Sequence, residues 1–173
     1  NINGNEKSPK KEPINSGRTP SNPSTVSNPS SLSRAEREGI VESMKSKINI
    51  LFIDDDTKFE QIKIFKNDGW KNTSTVVDIK GLGIPVVKES DVYFVDINGV
   101  GKLLKCKYEG LDLAQMLKEK YPDKCVVIYS ANKDQHAFHP AWDICDKKLE
   151  KNALPNQFEK IVEDYCIQVF NKK

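Results

Sequence analysis

The chain has 173 residues, enough to close a full hydrophobic core, and its 27 Lys and Arg against 25 Asp and Glu leave a net charge of only +2. Such a balance gives no electrostatic ground for a nucleic-acid or membrane partner. No apolar run approaches the roughly 18–20 residues of a membrane span, and no signal-peptide pattern opens the chain.

Residues 1–31 are rich in Asn, Ser, Pro, Lys and Thr and offer almost nothing to a core, so a disordered tail or linker is expected over 1–33. Ser33, with Glu36 three residues on, forms a capping-box pattern and predicts a short helix over 34–46. The folded domain is expected over 47–173. "INILFI" (48–53) reads as a buried strand. "TKFEQIKIFKNDG" (57–69) has helical spacing of Phe59, Ile62 and Phe65 and a stop at Gly69. "TSTVVDI" (73–79) is a β-branched strand. "KGLGIPVVKES" leaves the next helix short or absent. "DVYFVDI" (91–97) is a strand, "GLDLAQMLKEKYP" (110–122) an amphipathic helix, and "KCVVIYSA" (124–131) a buried strand. "KDQHAFHPAW" (133–142) is a weak helix interrupted by Pro140, and "DKKLEK" (146–151) a short polar strand. "PNQFEKIVEDYCIQVF" (155–170) places Phe158, Ile161, Val162, Tyr165, Cys166, Val169 and Phe170 on one helical face.

Strands alternating with helices imply a parallel sheet covered on both faces, with a ligand site beyond the C-terminal strand ends. The first strand ends in Asp54 and Asp55, the third in Asp96, the fourth in Ser130 and the fifth in Lys151. Like charges about 4 Å apart repel by roughly 1–4 kcal/mol per pair near a protein surface. A hard divalent cation with oxygen ligands, Mg²⁺ above all, resolves that repulsion. With Asp96 as nucleophile, its carboxylate attacks a phosphoryl group to form an acyl phosphate. Lys151 neutralises the added charge and Ser130 donates a hydrogen bond.

From about Lys47 to Phe170 the sequence resembles the receiver domain of two-component response regulators. The resemblance rests on "FIDDD", "VYFVDI", "VVIYSA" and the run Asp146, Leu149, Lys151, Pro155, Phe158. That run selects Lys151 over Lys147 and Lys148. The resemblance implies a flavodoxin-like (βα)5 doubly wound parallel sheet of order 2-1-3-4-5. It also implies a metal held by Asp54, Asp55, Asp96 and the carbonyl of Asn98, with Asp96, Ser130 and Lys151 as the catalytic residues. The implied partner is a sensor histidine kinase or phosphotransfer protein in the cytoplasm. Output would pass to a downstream protein, because the chain ends after its last helix with no DNA-binding domain. The expected activity is that of a switch with slow self-hydrolysis rather than a high-turnover enzyme.

Three departures stand out. The loop 97–110 is longer than the family's, with Glu109–Gly110 as a displaced counterpart of its acidic-residue–glycine pair. Asn152 follows Lys151 where the family has proline. Lys148 occupies an aromatic switch position. Two other readings compete. One is a receiver-like docking module that is not phosphorylated. The other is a haloacid-dehalogenase-like phosphatase, whose DxDx[TV] motif "DDDTK" misses because Thr57 comes one position early and Lys58 takes its place. His136 and His139 lack further ligands for a metal site, and Gly81-Leu82-Gly83 lacks a full phosphate-binding pattern. Cys106, Cys125, Cys145 and Cys166 form no CxxC pair and are expected as free thiols.

Overall fold

The computed structural model describes residues 31–131 and 136–173. Nearly all of the expected tail, and the start of the weak helix expected at 133–142, lie outside them. The elements run α1 (Arg34–Met44), β1 (Ile50–Ile53), α2 (Gln61–Asn67), β2 (Thr73–Val76), α3 (Pro85–Lys88), β3 (Val92–Asp96), α4 (Glu109–Lys120), β4 (Cys125–Ser130), α5 (Ala141–Ile144), β5 (Lys147–Glu150) and α6 (Pro155–Asn171). The strands form one all-parallel sheet of order β2-β1-β3-β4-β5, the flavodoxin-like arrangement expected.

The side-chain period of two divides the core between the faces. Ile50, Phe52, Val92, Phe94, Val127 and Tyr129 pack under α1, α2 and α6. Leu51, Ile53, Tyr93, Val95, Val126 and Ile128 pack under α3, α4 and α5. β1, β3 and β4 are buried along their whole length, while β5 is a short edge whose exposed Lys147 and Lys148 discourage pairing with another chain.

The capping box at α1 forms as read: the Ser33 hydroxyl accepts from the Glu36 N–H at 3.3 Å, and the Glu36 carboxylate accepts from the Ser33 N–H at 2.7 Å. α1 lies against α6, where Val41 and Met44 join the core beside Ile161 and Tyr165, and Arg37 reaches Asp164 at 3.1 Å.

Several elements are shorter than their sequence patterns. α2 begins at Gln61 rather than 57, because Asp56 draws the preceding residues into a turn: its side chain accepts from Lys58 N–H at 3.0 Å and its carbonyl from Phe59 N–H at 3.2 Å. β2 stops at Val76, and Asp78 instead turns to hold the loop after β3. Among the described residues of the expected weak helix, helical turn begins only after Pro140, which stands at its N-cap. Phe170, expected on the apolar face of α6, is 49% exposed. α3 is a single turn, as its glycines and proline suggested. All four cysteines are free thiols, three of them buried.

Candidate functional site

β1 is wholly buried, so the residue after it emerges at the C-terminal rim of the sheet. That residue is Asp54, 1% exposed, whose N–H extends the ladder to the Val76 carbonyl. Asp96 closes β3, also buried, one strand away. Lys151 follows β5, and its N–H bonds the Ser130 carbonyl at 2.9 Å. From there its side chain crosses the end of β4 over the rings of Tyr129 and Phe59, 5.8 and 5.4 Å from their centroids. The ammonium lies 3.0 and 3.1 Å from the two oxygens of Asp54 and 3.1 Å from Asp96 Oδ2. One amine thus bridges the acids of two neighbouring strands. The backbone bonds after β5, including Ala153 N–H to the Glu150 carbonyl, hold Lys151 in place with Asn152 following it.

Electrostatics follow from this crowding. Burial, and then the neighbouring Asp54, push the Asp96 carboxyl up to about 6 against the pull of Lys151. Burial works against the Lys151 ammonium, but its hydrogen bonds to Asp54 and Asp96 outweigh it and hold its pKa above the usual lysine value.

The three neighbouring aspartates do different work. Asp54 faces inward and takes Lys151. Asp56 makes the turn into α2 and donates its N–H to Asp54 Oδ1 at 2.8 Å. Asp55 is exposed at the rim, and one oxygen of each of Asp54, Asp55 and Asp96 lies within 4.8 Å of the others. This all-oxygen, doubly or triply anionic set, with one member open to water, fits a hard cation such as Mg²⁺, which keeps part of its water shell. Asn98 stands exposed in the bend after β3. Its neighbour Gly99, at φ +81°, lies so close to Asp55 that a Cβ there would come within 2.0 Å of the carboxylate. Ser130 ends β4, buried, one position beyond the rung that pairs Asp96 with Tyr129. The structure therefore brings Asp54, Asp55, Asp96 and Lys151 together, with Ser130 and Asn98 on the same rim.

The long loop after β3 is pinned at several points. Asp78 accepts from the N–H groups of Gly101 and Leu103 at 2.7 and 3.0 Å, and Glu109 accepts from Gly99 N–H at 2.7 Å. Gly110 N–H bonds the Ile97 carbonyl, and a Cβ on Gly110 would lie 1.8 Å from the Asp96 carbonyl oxygen. Glu109–Gly110 thus starts α4 directly against the end of β3. At the far side of α4, His139 Nδ1 accepts the Ala141 N–H, so Nε2 carries the proton and donates to Asp112 at 2.7 Å. Lys148, at the expected switch position, lies exposed with its ammonium 5.4 Å from the Trp142 ring.

The sequence pattern missed Tyr129. Its hydroxyl donates to Asp54 Oδ2 at 2.6 Å, entirely buried. In a run as apolar as "CVVIYS" a tyrosine reads as core, and only its place directly before the rim residue Ser130 hinted at more.

No family model matches the chain, and no curated protein matches it. Solved structures do. A CheY-like response regulator receiver domain protein from Methanospirillum hungatei JF-1 is 15% identical with a TM-score of 0.59, over 74% of this chain and 100% of that one. A response regulator from Thermotoga maritima is 19% identical with a TM-score of 0.55, over 70% and 98%. A response regulator protein from Burkholderia pseudomallei, solved with a phosphorylated aspartic acid, calcium ion and citrate, is 18% identical with a TM-score of 0.52, over 73% and 72%. With the 2-1-3-4-5 sheet, these neighbours show that the chain has the fold of response-regulator receiver domains, as the sequence resemblance implied. Among the described residues, no helix is long and apolar enough to cross a membrane.

Proposed function

We propose that this chain is a phosphoacceptor of two-component signalling that receives a phosphoryl group on Asp96 from a sensor histidine kinase or phosphotransfer protein in the cytoplasm. The observation that carries the reading is the Lys151 ammonium bridging Asp54 and Asp96, beside an Asp55 oxygen placed to complete a cation site. The Asp96 carboxylate attacks phosphorus. The bond from phosphorus to the donor nitrogen breaks and its electron pair returns to the imidazole. The product carries more negative charge on the rim than the free carboxylate did. Lys151, within reach of Asp96, supplies positive charge to the phosphoryl oxygens, and the Ser130 hydroxyl donates to one of them. Asp54, Asp55, Asp96 and the Asn98 carbonyl would hold Mg²⁺, which when bound supplies a hard positive charge against phosphoryl oxygens.

Asp54 is a poor candidate for the nucleophile, which weighs against a phosphatase of the haloacid-dehalogenase type. Its side chain has no exposed surface and is held by Tyr129, the Asp56 N–H and Lys151, so a phosphodonor has no open approach to it. The test is incubation with acetyl phosphate or phosphoramidate and Mg²⁺, read by intact mass. The expected result is a gain of one phosphoryl group that chelation of the metal prevents and Asp96→Asn abolishes. No gain in the unmutated chain, with the fold intact, would leave a docking module. Continuous phosphate release that depends on Asp54 would instead point to a phosphatase.

A further inference from the structure

Tyr129 is a buried polar side chain that the proposed chemistry does not use. Its ring is stacked against Phe59 at 5.4 Å and meets Phe52 and Phe158 edge-on at 6.1 and 6.0 Å. That aromatic frame packs the ring, and its hydroxyl donates to Asp54 Oδ2 at 2.6 Å. The Asp56 N–H donates to Asp54 Oδ1 at 2.8 Å, and Lys151 touches both oxygens. A carboxylate has about four lone-pair sites, so Asp54 is filled. When Lys151 gives way to a divalent cation, one site on each oxygen opens. Tyr129 and the Asp56 N–H remain, and they hold the carboxylate plane.

We propose that Tyr129 is a positioning residue of the metal site: its hydroxyl fixes the orientation of Asp54, and so determines which lone pairs Asp54 turns toward a divalent cation shared with Asp55 and Asp96. This rests on the phosphoacceptor reading and deepens it. Asp54 has no exposed side-chain surface, so water cannot replace the lost donor in a Tyr129→Phe variant. The carboxylate is then free to rotate toward Lys151 and away from the cation. Losing an outer partner of a metal ligand typically weakens metal binding by about 10–100-fold.

The experiment is Mg²⁺ titration by calorimetry, without phosphodonor, on the unmutated chain, Tyr129→Phe, Asp54→Asn and the double variant. The expected result is an affinity about tenfold weaker in Tyr129→Phe. In the Asp54→Asn background the same change is expected to have almost no further effect, because Tyr129 acts through Asp54. A Tyr129→Phe variant that binds Mg²⁺ as well as the unmutated chain overturns the positioning role and leaves the phosphoacceptor reading standing. So does an equal loss in both backgrounds. An unmutated chain that binds no Mg²⁺ overturns both. If Tyr129→Phe does not fold, fluorotyrosine placed at 129 alone keeps the donor and carries the test. Its fluorine resonance is expected to shift on Mg²⁺ addition in the unmutated background and to stay still with Asp54→Asn. A resonance that ignores Mg²⁺ in the unmutated background overturns the proposal.

Discussion

At Gly110 the missing side chain matters more than most of the side chains around it. A Cβ there would stand 1.8 Å from the Asp96 carbonyl oxygen and 2.7 Å from the Ile97 Cα, both backbone atoms that cannot swing aside. Gly110→Ala must lift the start of α4 off the end of β3. The expected cost is about 3 kcal/mol, at the upper end of overpacking, read as a lower midpoint in urea unfolding. A variant as stable as the parent would mean that α4 is not seated on Asp96 as described. Gly99 is tight in another way, since its close neighbour is the Asp55 carboxylate itself. The sequence marked Glu109–Gly110 by analogy of position, whereas Gly99 and Tyr129 carried no periodic or motif signal. Their importance comes from what lies across from them, and that is a matter of distance in space.

Among the elements, α1 is the one whose role sequence left open. Its capping box was legible because it is local, three residues from donor to acceptor. Its docking was not, because Val41 and Met44 look the same on a free amphipathic helix as on a packed one. In the structure both are 9% exposed and join the core beneath α6. Met44→Ala is therefore expected to destabilise the whole domain by about 2 kcal/mol, shifting the urea midpoint without changing the slope of the transition. A helix that merely tethers a tail would give no shift. The shortened α2 and β2 have a related origin. Apolar spacing marked their extent, but Asp56 and Asp78 drew the backbone into turns and loop contacts that periodicity does not register.

The whole molecule gathers charge at a second place, away from the rim, where α1, α2 and α6 meet. Glu159 of α6 buries Oε1 with no partner among the described residues, facing Asp68 after α2 and Lys45 after α1, with Glu163 one turn on. Burial first, and Asp68 second, push its carboxyl up to about 7. A carboxyl raised by folding binds its proton more tightly in the native state than in the unfolded one. Its contribution is complete below the unfolded value near 4.5 and is lost as pH rises through 7. Unfolding free energy is thus expected to fall by about 1 kcal/mol between pH 5 and 8 from this group, allowing for its partial exposure. Glu159→Gln is expected to flatten that slope, measured by urea unfolding across the range. An unchanged slope would assign the pH dependence elsewhere.

What the sequence by itself determined was the architecture and the rim. Alternating buried strands and amphipathic helices encode the parallel sheet through local periodicity, and a parallel sheet carries every strand end to one edge, so Asp54, Asp96 and Ser130 could be placed together by number alone, while Lys151 was chosen over Lys147 and Lys148 by the family resemblance. Tertiary structure alone decided how those groups engage: Lys151 crossing β4 to both acids, Tyr129 filling Asp54, Gly99 and Gly110 giving way to backbone and carboxylate, and α1 closing the core. The division has a physical reason. Periodicity and capping act over a few neighbouring residues, whereas a hydrogen bond such as that of Tyr129 with Asp54, 75 positions apart in the chain, exists only once the strands have paired.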